Sequence, residues 1–502
     1  MGMVLNTNIG SIQAQRALTE SRKEMEIAME RLATGSRING AADDAAGLAM
    51  VERMNTQIRG LTMATRNAND GIALIKTVEN ALVEVSGMLQ RMRELAVQAA
   101  NDTNTPTERA FANNEFNQLQ LEISRVSLNT RYNGAQVLNG SFSAKSLQVG
   151  TESGETLDFS IGNVESSKLG AYVISGKNTS PVVGSVTATD PTNAIAGDDV
   201  TITAGSVSRT IDVEADDSAK DVARKINAVA GGTQVTAEAR SYAWLYTATA
   251  APSTNARLDI NGFETAAFSI SSNDVSDAVQ KINAISASTG VQASSTNDYK
   301  ILLSDRDGDD IIVINSSTRT DLTVQSLAVD ATTPYGYSSS ATGGTNTVTL
   351  TASGSATDTV NVRGNLRLSS TADFSVTQST ADGYFDYASG GTVAAPLLNI
   401  SEVDVLTRIT ASDALAIIDG AIATTSSMRG GLGTLQNRLE YTVSNLMKVT
   451  EFTIGAKSRI ADADFAAETS RLAKAQVLQQ AGAAMLAQAN GSTDVVLQLI
   501  RG

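Results

Sequence analysis

The stretch LTMATRNANDGIALIKTVENALVEVSGMLQRMRELAVQA, residues 61–99, decides the fold of this chain. Apolar or small side chains return every seven residues along it, at Leu61, Ala68, Ile75, Leu82, Leu89 and Ala96. A repeat of this kind is typical of a helix that packs against other helices along its length. The pattern predicts one helix from about residue 44 to 100 and, after Pro106, a second helix to about Asn129.

A matching seam lies near the other end of the chain. Its members, again seven residues apart, are Ile418, Thr425, Leu432, Leu439, Leu446, Thr453 and Ile460. Ser412 and Asp413 come just before the seam and are residue types that cap helix N-termini, so we expect the helix to begin there. Two distant seams with the same period predict an antiparallel helical bundle formed by both ends of the chain, with the middle inserted between them.

The outermost segments, residues 1–43 and 461–502, are amphipathic but carry few large apolar side chains, among them Leu478 and Met485. Short helices gain most of their stability from packing against other elements. We therefore expect these segments to fray in a free subunit and to become helical on assembly.

The middle of the chain has a different character. Residues 141–410 carry 30 acidic and 16 basic side chains, whereas residues 1–140 carry 15 and 14, and residues 411–502 carry 8 and 8. Alternating apolar and polar residues predict β-strands there, at Val200 and Ile202, Val348 and Leu350, Val360 and Val362, and Leu366 and Leu368. Residues 221–228 (DVARKINA) also match residues 277–284 (DAVQKINA), which predicts two small α+β modules side by side, at about 206–250 and 262–315.

These patterns together predict an α+β multidomain protein: a long-helix bundle made by the chain ends, with an inserted β-rich region containing two repeated modules. The 502 residues include no Cys and no His, which excludes disulfides, thiolate or imidazole catalysis, and the usual zinc sites. No apolar run is long enough to cross a membrane, and no cleaved signal peptide is evident. The net charge of −15 argues against nucleic-acid binding.

One acidic cluster deserves comparison with calcium sites, because Asp305, Asp307 and Asp309 alternate along the chain. The EF-hand template fails, since Asp310 stands where glycine is needed and Ser316 where the bidentate glutamate is needed. An acidic turn between strands is the favoured interpretation, and a weak cation site is the alternative. Asp198–Asp199 and Asp216–Asp217 are interpreted in the same way, as turns and a helix N-cap.

Several motifs at the two ends are specific enough to carry a family resemblance. They are Asn6–Ile9 (NTNI), Arg31–Asn39 (RLATGSRIN), Asp43–Ala49 (DDAAGLA), Arg93–Asn101 (RELAVQAAN), Asp462–Glu468 (DADFAAE) and Gln476–Gln480 (QVLQQ). Through them the chain resembles bacterial flagellin, the subunit of the flagellar filament. The motifs span both ends, and the repeat of the middle is similar to a module found in flagellin variable regions.

The resemblance implies a layered subunit of a helical polymer used for swimming. Residues 1–43 and 461–502 would form the inner filament core, and residues 44–175 and 403–460 the bundle around it, with a β-hairpin. Residues 176–402 would project outward as the variable surface. Packing of the core and bundle would then rest on Leu61, Ile75, Leu82, Leu89, Leu432, Leu439, Leu446, Leu478 and Met485.

The resemblance also implies partners and a location. The chain would be exported through the flagellum's own channel without a cleaved signal, with an export chaperone holding Phe465–Leu499, and would reach the extracellular filament. Hook-associated and cap proteins would contact it there. Arg91, Leu95 and Glu115 match positions that contribute to recognition by the host Toll-like receptor for flagellin. Locally they are interpreted as helix surface, with Arg91 and Glu115 as polar partners across neighbouring bundles.

Other function classes remain to be weighed. A hook-filament junction protein shares similar helical ends, and a secreted adhesin would explain the Thr-rich middle. An enzyme is disfavoured, since the absence of His removes the ligands of the zinc protease carried by some flagellins. No cofactor is expected.

Overall fold

The computed structural model describes residues 8–501 apart from residues 102, 177–181, 185–191, 194, 196, 251–252, 297, 330–336, 339–346, 356, 380–382 and 386–389. Its helices are α1 (Ile9–Thr34), α2 (Ala45–Ala99), α3 (Pro106–Asn129), α4 (Ala219–Thr233), α5 (Ser276–Ala284), α6 (Ser286–Thr289), α7 (Arg408–Ala461) and α8 (Phe465–Arg501). A 3₁₀ turn covers Ile400–Glu402. None of the described helices is both long and apolar enough to cross a membrane.

The strands lie between α3 and α7. They are β1 (Arg131–Tyr132), β2 (Ala135–Gln136), β3 (Lys145–Gln148), β4 (Thr156–Phe159), β5 (Gly170–Ser175), β6 (Val182–Gly184), β7 (Asp198–Ala204), β8 (Val207–Val213), β9 (Val235–Thr247), β10 (Ser253–Ala256), β11 (Leu258–Ile260), β12 (Phe263–Glu264), β13 (Phe268–Ile270), β14 (Val291–Ser295), β15 (Ile301–Asp305), β16 (Ile311–Asn315), β17 (Leu322–Ser326), β18 (Ala328–Val329), β19 (Tyr337–Ser338), β20 (Thr347–Leu350), β21 (Thr359–Val362), β22 (Asn365–Ser370), β23 (Phe374–Gln378), β24 (Thr392–Ala394) and β25 (Leu397–Asn399).

The chain divides into two compact units. The first comprises residues 1–75, 144–159 and 433–502, and the second comprises residues 76–143 and 160–432. Each unit contains part of α2 and part of α7, since the residues of both long helices are divided between the two units. The predicted helical ends and β-rich insertion are confirmed.

In the first unit, α2 and α7 run antiparallel. Leu61 and Ala64 of α2 pack with Leu446 of α7, and further along α2 the backbone of Gly71 comes close to Leu439. The hairpin formed by β3 and β4 packs beside them, because a Cβ built at Gly71 would meet Leu147 at 2.7 Å. An added methyl group at this position would have to displace the end of the Leu147 side chain.

In the second unit, the same two helices again run antiparallel. Glu79 of α2 pairs with Arg429 of α7 at 2.9 Å, and Arg93 pairs with Asp419 at 2.6 Å. Helix α3 begins at a capping box, in which Thr105 accepts from the Glu108 N–H and the Glu108 carboxylate accepts from the Thr105 N–H. The predicted limits of α2 and α3 therefore agree with the structure within one residue.

The start of α7 was wrong in the sequence-based prediction. The helix begins at Arg408, where the Thr407 hydroxyl accepts a hydrogen bond from the Thr410 N–H at 3.1 Å. Asp413 is not a cap. Its buried carboxylate pairs instead with Arg367 at 2.9 Å and with Arg240 at 3.5 Å, two side chains that come from adjacent strands β22 and β9. Burial raises the pKa of Asp413, and the two guanidinium groups oppose that rise.

The two predicted modules are confirmed and lie side by side. The first has the order β8, α4, β9, and the second has the order β13, α5, α6, β14. Strand β9 of the first module pairs with β15, which in turn pairs with β14, so the modules share one sheet. That sheet has the strand order β14-β15-β9-β22-β5-β25, with β17 paired to β9 and β20 paired to β17. Two further sheets have the orders β12-β11-β16-β21-β6 and β24-β23-β7-β8.

An identical side-chain clamp closes both modules. Asn227 of α4 accepts from the Ala237 N–H and donates to the Ala237 carbonyl, each at 2.8 Å. Asn283 of α5 makes the same pair of bonds with Ala293, also at 2.8 Å. The repeated KINA sequence contains the information for both clamps, because each clamp joins the asparagine of that sequence to the residue ten positions after it. Each clamp ties a helix to the strand that follows it.

Two other predictions about acidic residues were wrong, although Asp216 lies in a turn as predicted. Asp198 and Asp199 do not form a turn, since they begin strand β7 and lie opposite Val213 and Asp212 of β8. Asp217 does not cap α4. The cap is Ser218, whose hydroxyl accepts from the Asp221 N–H, while Asp217 pairs with Lys225 at 2.6 Å.

Candidate assembly surface

The motifs Arg31–Asn39 and Asp462–Glu468, from opposite ends of the chain, meet at one junction in the first unit. Helix α1 ends at Gly35, whose positive φ of 69° lets its N–H reach back to the Arg31 carbonyl. The next residues form a short antiparallel bridge with the segment between α7 and α8, in which Ser36 lies opposite Asp462. The Ala463 N–H donates to the Gly35 carbonyl at 2.9 Å, so backbone hydrogen bonds fix this crossing.

An ion pair lies beside this crossing. The Arg31 guanidinium is 3.3 Å from the Glu468 carboxylate, whose side chain is 6% exposed. Arg471 approaches the same carboxylate at 3.0 Å from one turn further along α8. Removing solvent from a carboxylate is costly unless it keeps such partners, so the position of Glu468 depends on Arg31 and Arg471.

A second set of contacts joins the opposite ends of the same helices. The Asn8 side chain caps α1 by accepting from the Ser11 N–H at 3.0 Å, and its amide donates to the Ala489 carbonyl at 2.9 Å. The Ser11 hydroxyl donates to Asn490 at 2.9 Å. Helices α1 and α8 are therefore an antiparallel pair. Asn6 and Thr7 of the NTNI motif, like Leu5 in the same segment, lie outside the described residues.

The DDAAGLA motif forms the turn that starts α2. The Asp43 carboxylate accepts from the N–H groups of Asn39 and Gly40, each at 3.0 Å. These donors, the Asn39 N–H first, hold the pKa of Asp43 below its usual value. Asp44 accepts from the Gly47 N–H at 2.8 Å and so caps the first turn of α2.

Large apolar side chains are exposed mainly on the helical ends. The exposed large apolar side chains in the described part of these helices are Ile9, Ile12, Met29, Met50, Met63, Val83, Val97, Phe111, Leu121, Leu128, Tyr441, Met447, Phe452, Ile454, Phe465, Val477, Leu478 and Met485. The described middle adds only Val183, Phe263, Tyr299 and Leu406. An apolar surface of this extent on one class of elements indicates contacts with other macromolecules.

Part of this apolar surface borders a groove between α2 and α7 in the first unit. The groove has a volume of about 810 Å³. Its lining residues are Thr62, Thr65, Glu440, Val443, Ser444, Met447, Lys448, Thr450, Glu451 and Ile454.

The predicted packing residues fall into two classes. Leu61, Ile75, Leu82, Leu89, Leu432, Leu439 and Leu446 are buried within the single chain. Leu478 and Met485 of α8 are not, since they are 43% and 65% exposed. The seam residues thus stabilise the subunit itself, whereas these two remain free to contact something else.

The proposed surface of Arg91, Leu95 and Glu115 needs correction. Arg91 and Glu115 are exposed and pair with each other at 2.7 Å within one chain, and their contact across neighbouring bundles stays a prediction. The pairing within one chain lowers the pKa of Glu115. Leu95 is only 2% exposed and belongs to the buried side of α2, because it follows Met92 and precedes Ala99 on the same face. It is therefore not part of a helix surface.

The acidic cluster forms a turn between β15 and β16. Asp305 is buried and accepts from the N–H groups of Asp307 at 2.8 Å and Gly308 at 3.1 Å. Burial raises its pKa. Asp307 and Asp309 both face Lys220, at 3.6 and 2.7 Å. In the described part of the chain no group of three acidic side chains is placed to hold a metal ion.

Family models match most of both helical ends. The bacterial flagellin N-terminal helical region matches residues 5–143, and the C-terminal helical region matches residues 415–500. The B-type flagellin of Pseudomonas aeruginosa is 37% identical over the full length of both chains. The chain belongs to the bacterial flagellin family. As a flagellin, it is a structural subunit of the flagellar filament.

Other relatives are also similar in sequence along the whole chain. A flagellin of Salmonella choleraesuis is 32% identical and flagellin D of Vibrio cholerae is 29% identical, each over the full length of both chains. The flagellin hook IN motif matches residues 199–241 and so covers α4 and its neighbouring strands in the first module. Because the full-length relatives are flagellins, they favour a filament subunit over a junction protein or an adhesin.

Proposed function

We propose that this flagellin polymerises through its helical ends, in three layers. Residues 1–43 and 461–502 form the inner core of the filament, residues 44–175 and 403–460 surround it, and residues 176–402 face the solvent. The concentration of exposed apolar side chains on the helical ends carries this proposal. Residues 141–410, which hold most of the net negative charge, suit the wetted outer layer.

The terminal pair α1 and α8 is the element that most needs a partner. The buried residues of α1 are only Ser21 and Ala28, whereas Ile9, Ile12 and Met29 are exposed. On α8, Phe465, Val477 and Met485 are exposed as well. A helix pair that buries so little apolar area gains its stability by packing against further copies.

Seeded polymerisation tests the proposal. Met485→Ser and Val477→Ser remove exposed apolar groups from α8 and should slow or abolish filament growth without lowering the stability of the subunit. Phe263→Ser is the matched control, because Phe263 is exposed on strand β12 of the outer region. Normal growth of the α8 variants, or equal loss of growth in the control, would exclude the assignment.

The partners follow from the same surfaces. We infer that an export chaperone covers Phe465–Leu499 before secretion, which would shield Val477, Leu478 and Met485 until assembly. Export then proceeds without a cleaved signal, and the subunit joins an extracellular filament bounded by hook-associated and cap proteins. A chaperone complex in which peroxide oxidised the Met485 thioether as fast as in the free subunit would contradict this order of events.

Recognition by the host Toll-like receptor for flagellin would use Arg91 and Glu115, which are exposed. The buried Leu95 would act only indirectly, by holding α2 in place. Reversing the charges of both exposed residues should weaken receptor binding by the monomer while leaving its circular dichroism unchanged. Retained binding would remove this surface from the proposal.

A further inference from the structure

Two Asn–Gly turns in this chain share one backbone geometry. Asn133–Gly134 joins β1 to β2, and Asn261–Gly262 joins β11 to β12. The φ angles are 48° and 84° in the first turn and 50° and 84° in the second. Both are two-residue hairpin loops with positive φ at each position, for which Asn–Gly is the preferred sequence.

The asparagine side chains of these two turns differ in their hydrogen bonds. The Asn261 carbonyl oxygen accepts from the Ile312 N–H at 2.8 Å, and its amide donates to the Thr289 carbonyl at 3.2 Å. Asn133 is exposed, and no side-chain hydrogen bond to it is found within the described residues. A Cβ built at Gly134 or at Gly262 would meet nothing within 4 Å, so the asparagine side chains and not the glycines distinguish the two turns.

The remaining Asn–Gly pairs are also restrained. The Gly40 N–H donates to Asp43, and the Asn39 amide donates to Ser36. The Asn139 amide donates to Gln136, and its oxygen accepts from Ser141. Asn490 lies inside helix α8 and accepts from Ser11. Among these pairs, within the described chain, only the Asn133 side chain has no such hydrogen bond, while its loop has one side-chain contact, from the Arg131 guanidinium to the Gly134 carbonyl at 3.3 Å.

We propose that Asn133 is a site of spontaneous deamidation in the folded subunit. The Gly134 nitrogen attacks the Asn133 side-chain carbonyl carbon, so a nitrogen–carbon bond forms, the bond to the amide nitrogen breaks, and ammonia leaves. Water relays the proton of the Gly134 N–H to the departing amide nitrogen, which therefore leaves as neutral ammonia. Water then opens the five-membered imide at either carbonyl, giving aspartate or isoaspartate, with no oxidant or reductant required.

Local opening makes this step accessible. Strands β1 and β2 have two residues each, and the loop between them is solvent-exposed, so the turn can open without unfolding the rest of the unit. The turn of Asn261 cannot open in the same way, because strand β11 also pairs with β16 and the side chain is fixed to two other elements. Either product places a negative charge at the hairpin, and isoaspartate also lengthens the backbone by one methylene.

The test is peptide mapping of the full chain after incubation in mildly alkaline water enriched in oxygen-18. Trypsin releases residues 132–145 as one peptide containing both Asn133 and Asn139, so fragment ions compare the two sites directly. We expect several-fold more label at Asn133 than at Asn139 or Asn261, and no comparable label in Asn133→Gln.

The second part of the test is the same incubation of the chain unfolded in urea. In the unfolded chain, Asn133 and Asn261 should react at similar rates, because the local Asn–Gly sequence is then all that matters. Lack of label at Asn133 in the folded chain would overturn the proposal. Equal labelling of Asn133 and Asn261 in the folded chain, or an unchanged preference in urea, would overturn it as well.

Discussion

Arg31 and Glu468, which are 437 residues apart in sequence, lie 3.3 Å apart in the structure. Their ion pair stands where α1 ends and α8 begins, beside the backbone bridge between Ser36 and Asp462. Each residue belongs to a motif of its own chain end, so the contact explains why the two motifs occur together in this flagellin. It also fixes the register of the antiparallel pair that assembly is proposed to use.

Glu468→Gln should loosen this junction. The carboxylate is almost fully buried, and its replacement leaves Arg31 without a charged partner on α8, at a cost of about 1–3 kcal/mol. Faster amide exchange at the end of α1 and the start of α8 would report the loss. Glu26→Gln, at an exposed position of α1, is the control and should leave exchange unaltered.

Leu95→Ala should destabilise the subunit by about 2–5 kcal/mol, because it leaves a cavity in a buried helical seam. Urea unfolding followed by far-ultraviolet circular dichroism measures this. Arg91→Ala, at an exposed position of the same helix, should leave the unfolding midpoint nearly unchanged. If the two variants were equally stable, the buried placement of Leu95 would be wrong.

Asn227→Ala and Asn283→Ala should have similar effects, because the two side chains make the same pair of hydrogen bonds. Each truncation should cost about 1–3 kcal/mol through unsatisfied backbone groups of the following strand. The single Trp244 lies in β9, so its fluorescence reports unfolding of the sheet that the modules share. Gln292→Ala on the exposed face of β14 should leave the transition in place.

The stability of the outer region should rise on mild acidification through Asp310. Burial raises the pKa of this carboxyl from 3.8 to about 6, although hydrogen bonds from Asn193 and Asn361 and the charge of Arg363 act in the opposite direction. A raised pKa in the folded state means that the stabilisation from protonation is complete below the unfolded value and is lost as pH rises through about 6.

Asp310→Asn should remove this dependence. Comparison of urea midpoints at pH 5 and pH 7, roughly one unit on either side of the raised value, separates the outcomes. The unsubstituted chain should gain stability at the lower pH relative to the variant. Parallel pH profiles for both proteins would show that Asp310 does not titrate in this range.

The terminal helices should exchange amide hydrogens rapidly in the monomer and slowly in the filament. Both segments are helical in the structure of the single chain, and their fraying in a free subunit remains a prediction. Helices that bury little of their own apolar surface open at low cost. Equal protection of α1 and α8 in the monomer and the filament would mean that the pair is stable by itself.

Local periodicity determined much of the fold. The seven-residue repeat placed α2 within one residue of its observed limits, since a helical face is set by residues close in sequence. Alternation placed Val200, Ile202, Leu366 and Leu368 in strands β7 and β22 for the same reason. The repeated KINA sequence identified both modules, because equal local sequences form equal local structures.

Partners distant in sequence could not be assigned in this way. The sequence offered Asp413 as a helix cap, whereas the sheet supplies Arg367 and Arg240 to its carboxylate. Resemblance assigned Leu95 to a recognition surface, whereas its position between Met92 and Ala99 buries it. An acidic side chain or a leucine has the same local signature in either role, and only its neighbours in space distinguish them.

The sequence by itself determined the long helices and several strands, the absence of Cys and His chemistry, and the division into neutral helical ends and an acidic β-rich middle. The tertiary structure decided which motifs meet, as in Arg31 with Glu468, and which of two equal turns is restrained, as in Asn261 but not Asn133. The reason is that backbone periodicity is a short-range property, whereas burial and hydrogen-bond partners depend on where distant segments pack.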